Sequence, residues 1–180
     1  LVPEVIKELR ETYHRPDILV MQDAADLSPA SREHMAQAFD HYAGRNVYLH
    51  GQYIVLTRYP MRECQAVPLP WHERPLNYVH CVVTIDGQDV DLYTVHFISP
   101  RKGLNAARRE RAEGIDDWQQ NFNDRLGQSR RLAADLKART LQRPMILAGD
   151  LNAVEPSPVV RELLATGLRD AYSSAGVGYG

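Results

Sequence analysis

Apolar residues recur along this chain with two different spacings, of which one predicts helices and the other predicts strands. Helical spacing covers about 2–14 and 31–42, and returns over 114–140 with charged residues between the apolar ones. Because Gly127 lies inside the last stretch, the pattern predicts either one long helix or two helices with a break near this glycine. A further short helix is predicted to start at Pro158.

Short apolar runs between these helices are bounded by Gly, Pro and Asp-Gly signals, which is typical of strands. The predicted strands cover 17–22, 46–50, 53–58, 62–67, 77–85, 89–97 and the run after Pro144. Asp86 and Gly87 predict a tight hairpin. Strands in succession with helices between some of them predict an α/β layered domain around a mixed sheet.

The run after Pro144 leads directly to Asp150 and Asn152. We predict a buried strand here, and we expect Gly149 to let the backbone turn where the strand stops. Asp150 and Asn152 then lie at the carboxyl edge of the sheet, where ligand sites are common. Their side chains point the same way if the chain stays extended. The alternative is that they simply form a turn, because both residue types favour turns.

Two other predicted strands also carry polar side chains near their ends. The strand that starts at Asp17 leads to Asp23, and the strand over 89–97 carries His96. Oxygen-ligand metal sites are commonly assembled from residues that are distant in sequence but meet at one edge. Three strands of this kind therefore predict a common site. The alternative for His96 is a core histidine on a buried strand.

The order of these segments resembles the endonuclease/exonuclease/phosphatase superfamily of metal-dependent phosphoesterases. The resemblance rests on PDILVMQD at 16–23, GQYIVLTRYPM at 51–61, YTVHF at 93–97 and GDLNAVEPSP at 149–158. It covers most of the chain, and the last segment is the most specific. It implies a DNase I-like fold, a four-layered α/β sandwich of two packed mixed sheets flanked by helices.

The resemblance also implies site residues and a cofactor, Mg²⁺ or Mn²⁺. Asp23 occupies the position of the family's metal-binding glutamate, and Asp150 is a second metal ligand that orients or deprotonates the attacking water. Asn152 holds the phosphate or that water, and His96 contacts the phosphate. Because aspartate is shorter than glutamate by one methylene group, we expect Asp23 to bind the ion through water or to bind it weakly.

The predicted function is divalent-metal-dependent hydrolysis of a phosphodiester in nucleic acid, in a phospholipid headgroup or in a small molecule. The chain has 21 basic and 23 acidic residues, for a formal net charge of -2. It therefore lacks the global basic field of non-specific nucleic-acid binders. Variable loops select the substrate in folds of this kind, so these residues leave the substrate open. The alternative function is a non-catalytic binding module that keeps the fold.

We expect residues 1–180 to form a single domain that is part of a larger catalytic domain. Family members usually begin with a strand that ends in asparagine and finish with an aspartate-histidine pair. The chain opens with a helix, and none of its seven histidines follows His96. We therefore expect this segment to be weakly active or inactive by itself.

Cys64 and Cys81 are interpreted as buried thiols, because two cysteines this far apart in sequence suggest neither a zinc site nor a disulfide framework. No apolar run approaches the length of a membrane span, and the N-terminus lacks the pattern of a signal peptide. We expect a soluble segment. The compartment stays open, and an upstream membrane anchor in the natural protein is compatible with this sequence.

Overall fold

The computed structural model describes residues 16–24, 28, 30, 46–101, 103–105, 112–139 and 143–175. The helices predicted over about 2–14 and 31–42 lie outside these residues. The described strands are β1 (Ile18–Met21), β2 (Val47–His50), β3 (Tyr53–Thr57), β4 (Met61–Leu69), β5 (Leu76–Ile85), β6 (Gln88–His96) and β7 (Met145–Asp150). The described helices are α1 (Ala112–Arg139), α2 (Pro158–Leu164) and α3 (Ala171–Ala175). None of these helices is long and apolar enough to cross a lipid bilayer.

The seven strands form two sheets, with strand orders β1-β3-β2 and β4-β5-β6-β7. In the first sheet, β1 and β2 both pair antiparallel with β3. In the second sheet, β5 and β6 form an antiparallel hairpin in which Ile85 pairs with Gln88. The turn residues Asp86 and Gly87 have φ values of 49° and 82°, and two positive values in succession are typical of a type I′ turn. The predicted hairpin and the predicted α/β class are both confirmed.

The structure divides into two compact units. The first contains the described residues within Leu1–Ala66, Val79–Thr94 and Ile146–Gly149, and the second contains those within Val67–Tyr78, Val95–Met145 and Asp150–Gly180. Each strand of the second sheet contributes residues to both units. The prediction of a single domain over 1–180 stays a prediction.

The core of the first unit lies between the two sheets. Its buried members are Tyr53, Val55, Val79, Cys81, Val83 and Leu92. They come from alternate positions of β3 and β5 and from one position of β6, and alternate positions of a strand share one face. Burial of each large apolar side chain stabilises the fold by about 1.5–3 kcal/mol. The implied packing of two sheets is therefore confirmed in this unit.

A disulfide joins Cys64 of β4 to Cys81 of β5, so the interpretation of two separate buried thiols is wrong. Their Cα atoms lie 4.1 Å apart, although the residues are 17 positions apart in sequence. The two strands are neighbours in the second sheet. Strand pairing, which the spacing of cysteines does not reveal, is what brings the two sulfur atoms together.

Helix α1 belongs to the second unit, where it packs against α2. It continues through Gly127 without a break, so the interpretation as one long helix is correct. Leu132 and Leu136 are fully buried, whereas Ile115 and Trp118 are 55% and 45% exposed. The predicted apolar inner face is therefore fully buried at Leu132 and Leu136, and it is exposed at Ile115 and Trp118.

Candidate functional site

The ends of β6 and β7 lie side by side in the second unit. The N–H of Phe97, directly after β6, donates to the carbonyl oxygen of Asp150, the last residue of β7, at 2.9 Å. The side chain of His96 is consequently a neighbour of the Asp150 carboxylate, with 3.8 Å between Nε2 and Oδ2. This distance exceeds that of a hydrogen bond, so the two atoms do not bond directly to each other.

Both side chains of this pair reach solvent. The Asp150 side chain is 54% exposed and the His96 side chain is 17% exposed. The two residues before His96 on β6 are much less exposed, since Thr94 and Val95 are only 1% and 0% exposed. Phe97, directly after His96, is again 0% exposed, so His96 is a partly exposed position between buried neighbours. This exposure favours a site residue over the alternative of a core histidine.

The chain turns at Asn152 and not at Gly149. Strand β7 continues through Gly149 to Asp150, and Asn152 then adopts a φ of 47°. Asparagine is one of the few residues other than glycine that tolerate this left-handed region. The predicted turn position is therefore wrong, and the extended backbone that would align the two side chains is absent. The turn bond that the alternative interpretation implies does exist, because the Asn152 N–H donates to Asp150 Oδ1 at 2.8 Å.

The Asn152 side chain is anchored to the end of β6. Its Nδ2 atom donates to the carbonyl oxygen of Phe97 at 2.9 Å. Since Phe97 follows His96 directly, this bond places Asn152 at the same edge as the histidine. The structure thus brings together three of the predicted site residues, namely Asp150, Asn152 and His96.

Asp23 belongs to the first unit, where it is exposed and follows β1. Its φ of 58° is also left-handed, and the residues on either side of it are anchored. Gln22 Nε2 donates to Thr94 Oγ1 at 2.7 Å, and the Ala24 N–H donates to the carbonyl oxygen of Gln52 at 3.0 Å. These bonds fix the position of the turn at Asp23. Its role as a metal ligand stays a prediction.

The donor chemistry of the edge suits a hard cation. Within the parts of the chain that the structure describes, no group of three or more His, Cys, Asp or Glu side chains could hold a metal ion. Magnesium does not need such a group, because it keeps several waters and takes only one or two protein carboxylates. The exposed Asp150 carboxylate fits that requirement. Zinc sites, which use three or four nitrogen, sulfur or carboxylate ligands, do not fit these residues.

Helix α1 holds the edge in place through buried polar side chains that sequence reasoning missed. Arg125 Nη1 donates to the carbonyl oxygen of Asn152 at 2.8 Å. Gln128 Oε1 accepts from the N–H of Ile98 at 3.2 Å, and its Nε2 donates to the carbonyl oxygen of Pro70 at 3.3 Å. One helix therefore binds the main chain of the segments that follow both β6 and β7.

Arg125 was missed because charged residues in an amphipathic helix normally face solvent. A signal was nevertheless present, since Arg125 precedes Leu132 by seven residues and Leu136 by eleven. These separations are close to whole numbers of helical turns, so the three residues share a face. Arg125 is only 8% exposed, and this burial lowers the pKa of its guanidinium group.

The sequence matches the model of the Endonuclease/Exonuclease/phosphatase family over residues 2–180. The chain belongs to this family. The match confirms the resemblance that was based on the four sequence segments, and it places the site described above within a family member. A comparison with curated proteins gave no match.

Solved structures share the fold of this family member. Sphingomyelinase C from Streptomyces griseocarneus is 21% identical, with a TM-score of 0.63 over 92% of this chain and 61% of that chain. Truncated TDP2 from Caenorhabditis elegans is 17% identical, with a TM-score of 0.68 over 98% of this chain and 64% of that chain. The family member therefore spans less than two thirds of the length of each.

A double mutant of beta toxin from Staphylococcus aureus, whose structure contains bound magnesium ions, is also similar. It is 13% identical, with a TM-score of 0.63 over 94% of this chain and 64% of that chain. Identities this low show a shared fold and do not transfer an activity. The DNase I-like fold that the resemblance implied is confirmed.

Proposed function

We propose that this family member hydrolyses a phosphodiester in a reaction that depends on Mg²⁺ or Mn²⁺. One observation carries the proposal: Asp150, Asn152 and His96 meet at the ends of two adjacent strands. A carboxylate, an amide and an imidazole at one solvent-exposed edge can together bind and activate a phosphate ester and water. The membership of the phosphoesterase family supports the same reaction.

A divalent ion at this edge supplies positive charge that neutralises the phosphate and stabilises the leaving oxygen. Asp150 is the proposed ligand, because its carboxylate is exposed and only its Oδ1 atom takes part in the turn. Asp23 is proposed as a further ligand on the family resemblance. The magnesium ions bound to the similar beta toxin structure support the choice of metal.

The protein side chains have separate roles in the proposed reaction. Asp150 orients the water or accepts its proton while the water oxygen attacks phosphorus, and the bond from phosphorus to the leaving oxygen then breaks. The leaving oxygen takes up a proton from solvent. A water molecule beside the 3.8 Å gap can lie within hydrogen-bond distance of both His96 Nε2 and Asp150 Oδ2, and it would donate to the carboxylate. On the family resemblance, His96 contacts the phosphate and the Asn152 amide holds the phosphate or the water.

Three substrate classes remain in the proposal: a phospholipid headgroup, nucleic acid and a small phosphodiester. The structural likeness to a sphingomyelinase supports the first. The formal net charge of -2 provides no general attraction for the second. All three classes use the same attack on phosphorus, so one protein preparation can be tested against each of them.

The test is hydrolysis by the longest natural chain that contains this segment. Its substrates are an aryl phosphodiester, plasmid DNA and sphingomyelin vesicles, with Mg²⁺, Mn²⁺ or a chelator. The variant Asp150→Ala removes the proposed ligand. Asp116→Ala is the matched control, because Asp116 is an exposed carboxylate on α1.

We expect metal-dependent turnover in the wild type and in Asp116→Ala, and none in Asp150→Ala. Turnover that survives the loss of the Asp150 carboxylate would contradict its assigned role. A folded, intact chain that turns over none of the substrates would instead support the non-catalytic binding module.

A further inference from the structure

Arg125 is a buried cation on α1, although charged residues of an amphipathic helix normally face solvent. It is 8% exposed, and its Nε atom is buried without a hydrogen-bond partner. Buried cations are usually paired with a carboxylate, because removing an unpaired charge from water costs free energy. Among the described residues, no carboxylate forms an ion pair with Arg125. Its burial lowers the pKa of the guanidinium group, as expected for a desolvated cation.

Within the described part of the chain, the side-chain hydrogen bond of Arg125 leads to the candidate site. Its Nη1 atom donates to the carbonyl oxygen of Asn152 at 2.8 Å. A hydrogen bond from a charged donor is shorter and stronger than one between neutral groups. The guanidinium group is thus hydrogen-bonded to the backbone of Asn152, in the turn at residues 149–152.

Asn152 is the residue in this turn whose backbone is left-handed. Its φ of 47° is unfavourable for most residues, by about 1–3 kcal/mol. Its N–H donates to Asp150, its side-chain Nδ2 donates to Phe97, and its carbonyl oxygen accepts from Arg125. Of these three partners, Asp150 ends β7 and Phe97 directly follows β6, whereas Arg125 lies on a helix.

We infer that Arg125 is a positioning residue, which fixes the main chain at Asn152 and thereby the direction of the Asn152 amide. The catalytic part of this inference rests on the proposed function, in which the amide holds the phosphate or the water. Its structural part does not, because the orientation of Asn152 can be measured without turnover. A substitution of Arg125 should therefore have two separate consequences.

The first consequence concerns the structure of the turn. In isotope-labelled protein, we expect Arg125→Gln to shift and broaden the side-chain amide resonances of Asn152, which the bond to Phe97 holds in place in the wild type. Arg130→Gln is the matched control, because Arg130 lies on the same helix, is 63% exposed and pairs with Glu162. Asn152 resonances that stay unchanged in Arg125→Gln would overturn the inference.

The second consequence concerns catalysis. We expect Arg125→Gln to lower kcat by roughly 10- to 100-fold with little change in KM, as a misplaced group near the reacting atoms does. In an Asn152→Ala background the same change should have almost no further effect, because the two residues act as one unit. Equal losses in both backgrounds would show that Arg125 acts independently of Asn152, and would overturn the positioning role.

Two further measurements separate a loss of folding from a loss of positioning. The first is thermal unfolding of each variant. Should Arg125→Gln fail to fold, Arg125→Lys keeps the charge but loses the planar fork of the guanidinium group, and the same resonances decide the question. If the wild type proves inactive, the proposed function fails, while the Asn152 resonances still support or overturn the positioning of this residue by Arg125.

Discussion

Two pairs of histidine and aspartate lie on neighbouring strands of the second sheet, and their surroundings are opposite. In the buried middle of β5 and β6, His80 Nε2 lies 2.7 Å from Asp91 Oδ1, and the side chains are 2% and 1% exposed. At the ends of β6 and β7, His96 Nε2 lies 3.8 Å from Asp150 Oδ2, with exposures of 17% and 54%. The side chains of the first pair, the buried pair, form a direct hydrogen bond. The side chains of the second pair, the open pair, are exposed to solvent.

Residue type alone therefore does not identify a site. His80 is also packed against Tyr93, with 4.6 Å between ring centroids, so no substrate can reach this pair without disrupting the core. Its contribution is therefore to stability. The strand ends of the open pair are joined by the bond from the Phe97 N–H to the Asp150 carbonyl oxygen, while its side-chain atoms lie too far apart for a direct hydrogen bond. Distance and exposure separate a structural pair from a candidate catalytic pair.

The largest expected effect comes from Asp150→Asn. The amide keeps an oxygen that can accept from the Asn152 N–H but removes the negative charge that metal binding and water activation need. We expect turnover to fall by about 10³-fold, which corresponds to about 4 kcal/mol in the activation free energy, with almost no change in Tm. Steady-state kinetics and thermal unfolding measure the two effects. A large loss of Tm would mean that the open pair is structural like the buried one.

A smaller effect, on stability alone, is expected from removing the disulfide beside the buried pair. Replacement of Cys64 and Cys81 by serine together, or full reduction, should lower the free energy of unfolding by about 3 kcal/mol, as expected for a loop of this length. Denaturant unfolding with and without reductant measures this. Thiol counting under denaturing conditions is the control, since two reactive thiols in unreduced protein would show that the bond is not formed. Turnover per folded molecule should stay unchanged.

Asp91→Asn tests the buried pair directly. The substitution keeps an acceptor for His80 but places additional amide donors in a buried position, so we expect the free energy of unfolding to fall by about 2 kcal/mol. Unlike Asp150→Asn, it should leave kcat of the folded protein within about twofold. Denaturant unfolding combined with kinetics below the transition gives both values. A loss of kcat without a loss of stability would contradict the comparison between the two pairs.

The smallest effect is expected from Asp23→Glu. If Asp23 is a metal ligand, the longer side chain restores the residue type that the family resemblance places there, and Mg²⁺ affinity should stay the same or rise by less than about tenfold, or about 1.4 kcal/mol. Isothermal titration calorimetry with Mg²⁺ measures this, and Asp17→Glu is a control at an exposed residue that pairs with Arg58. Markedly weaker binding in Asp23→Glu would show that Asp23 is not a ligand.

The local sequence patterns predicted most of the described elements, because they depend on near neighbours. Alternating apolar runs marked the strands, and Asp86 with Gly87 marked the hairpin. The same reasoning failed where packing between distant parts of the chain determines which residues are buried. Ile115 and Trp118 fit a buried helix face by spacing but are exposed, whereas Arg125 and Gln128 look like solvent-facing residues but are buried. Burial depends on what lies opposite a residue, and a local pattern does not contain that information.

By itself, the sequence determined the family, the α/β class and the candidate residues Asp150, Asn152 and His96, because the motifs and their order are properties of the chain. The contacts of these residues are a property of the tertiary structure. It paired Cys64 with Cys81 and moved the turn from Gly149 to Asn152. It also placed a buried arginine against that turn. Strand pairing and helix packing join residues that are far apart in sequence, so these contacts exist only in the folded protein.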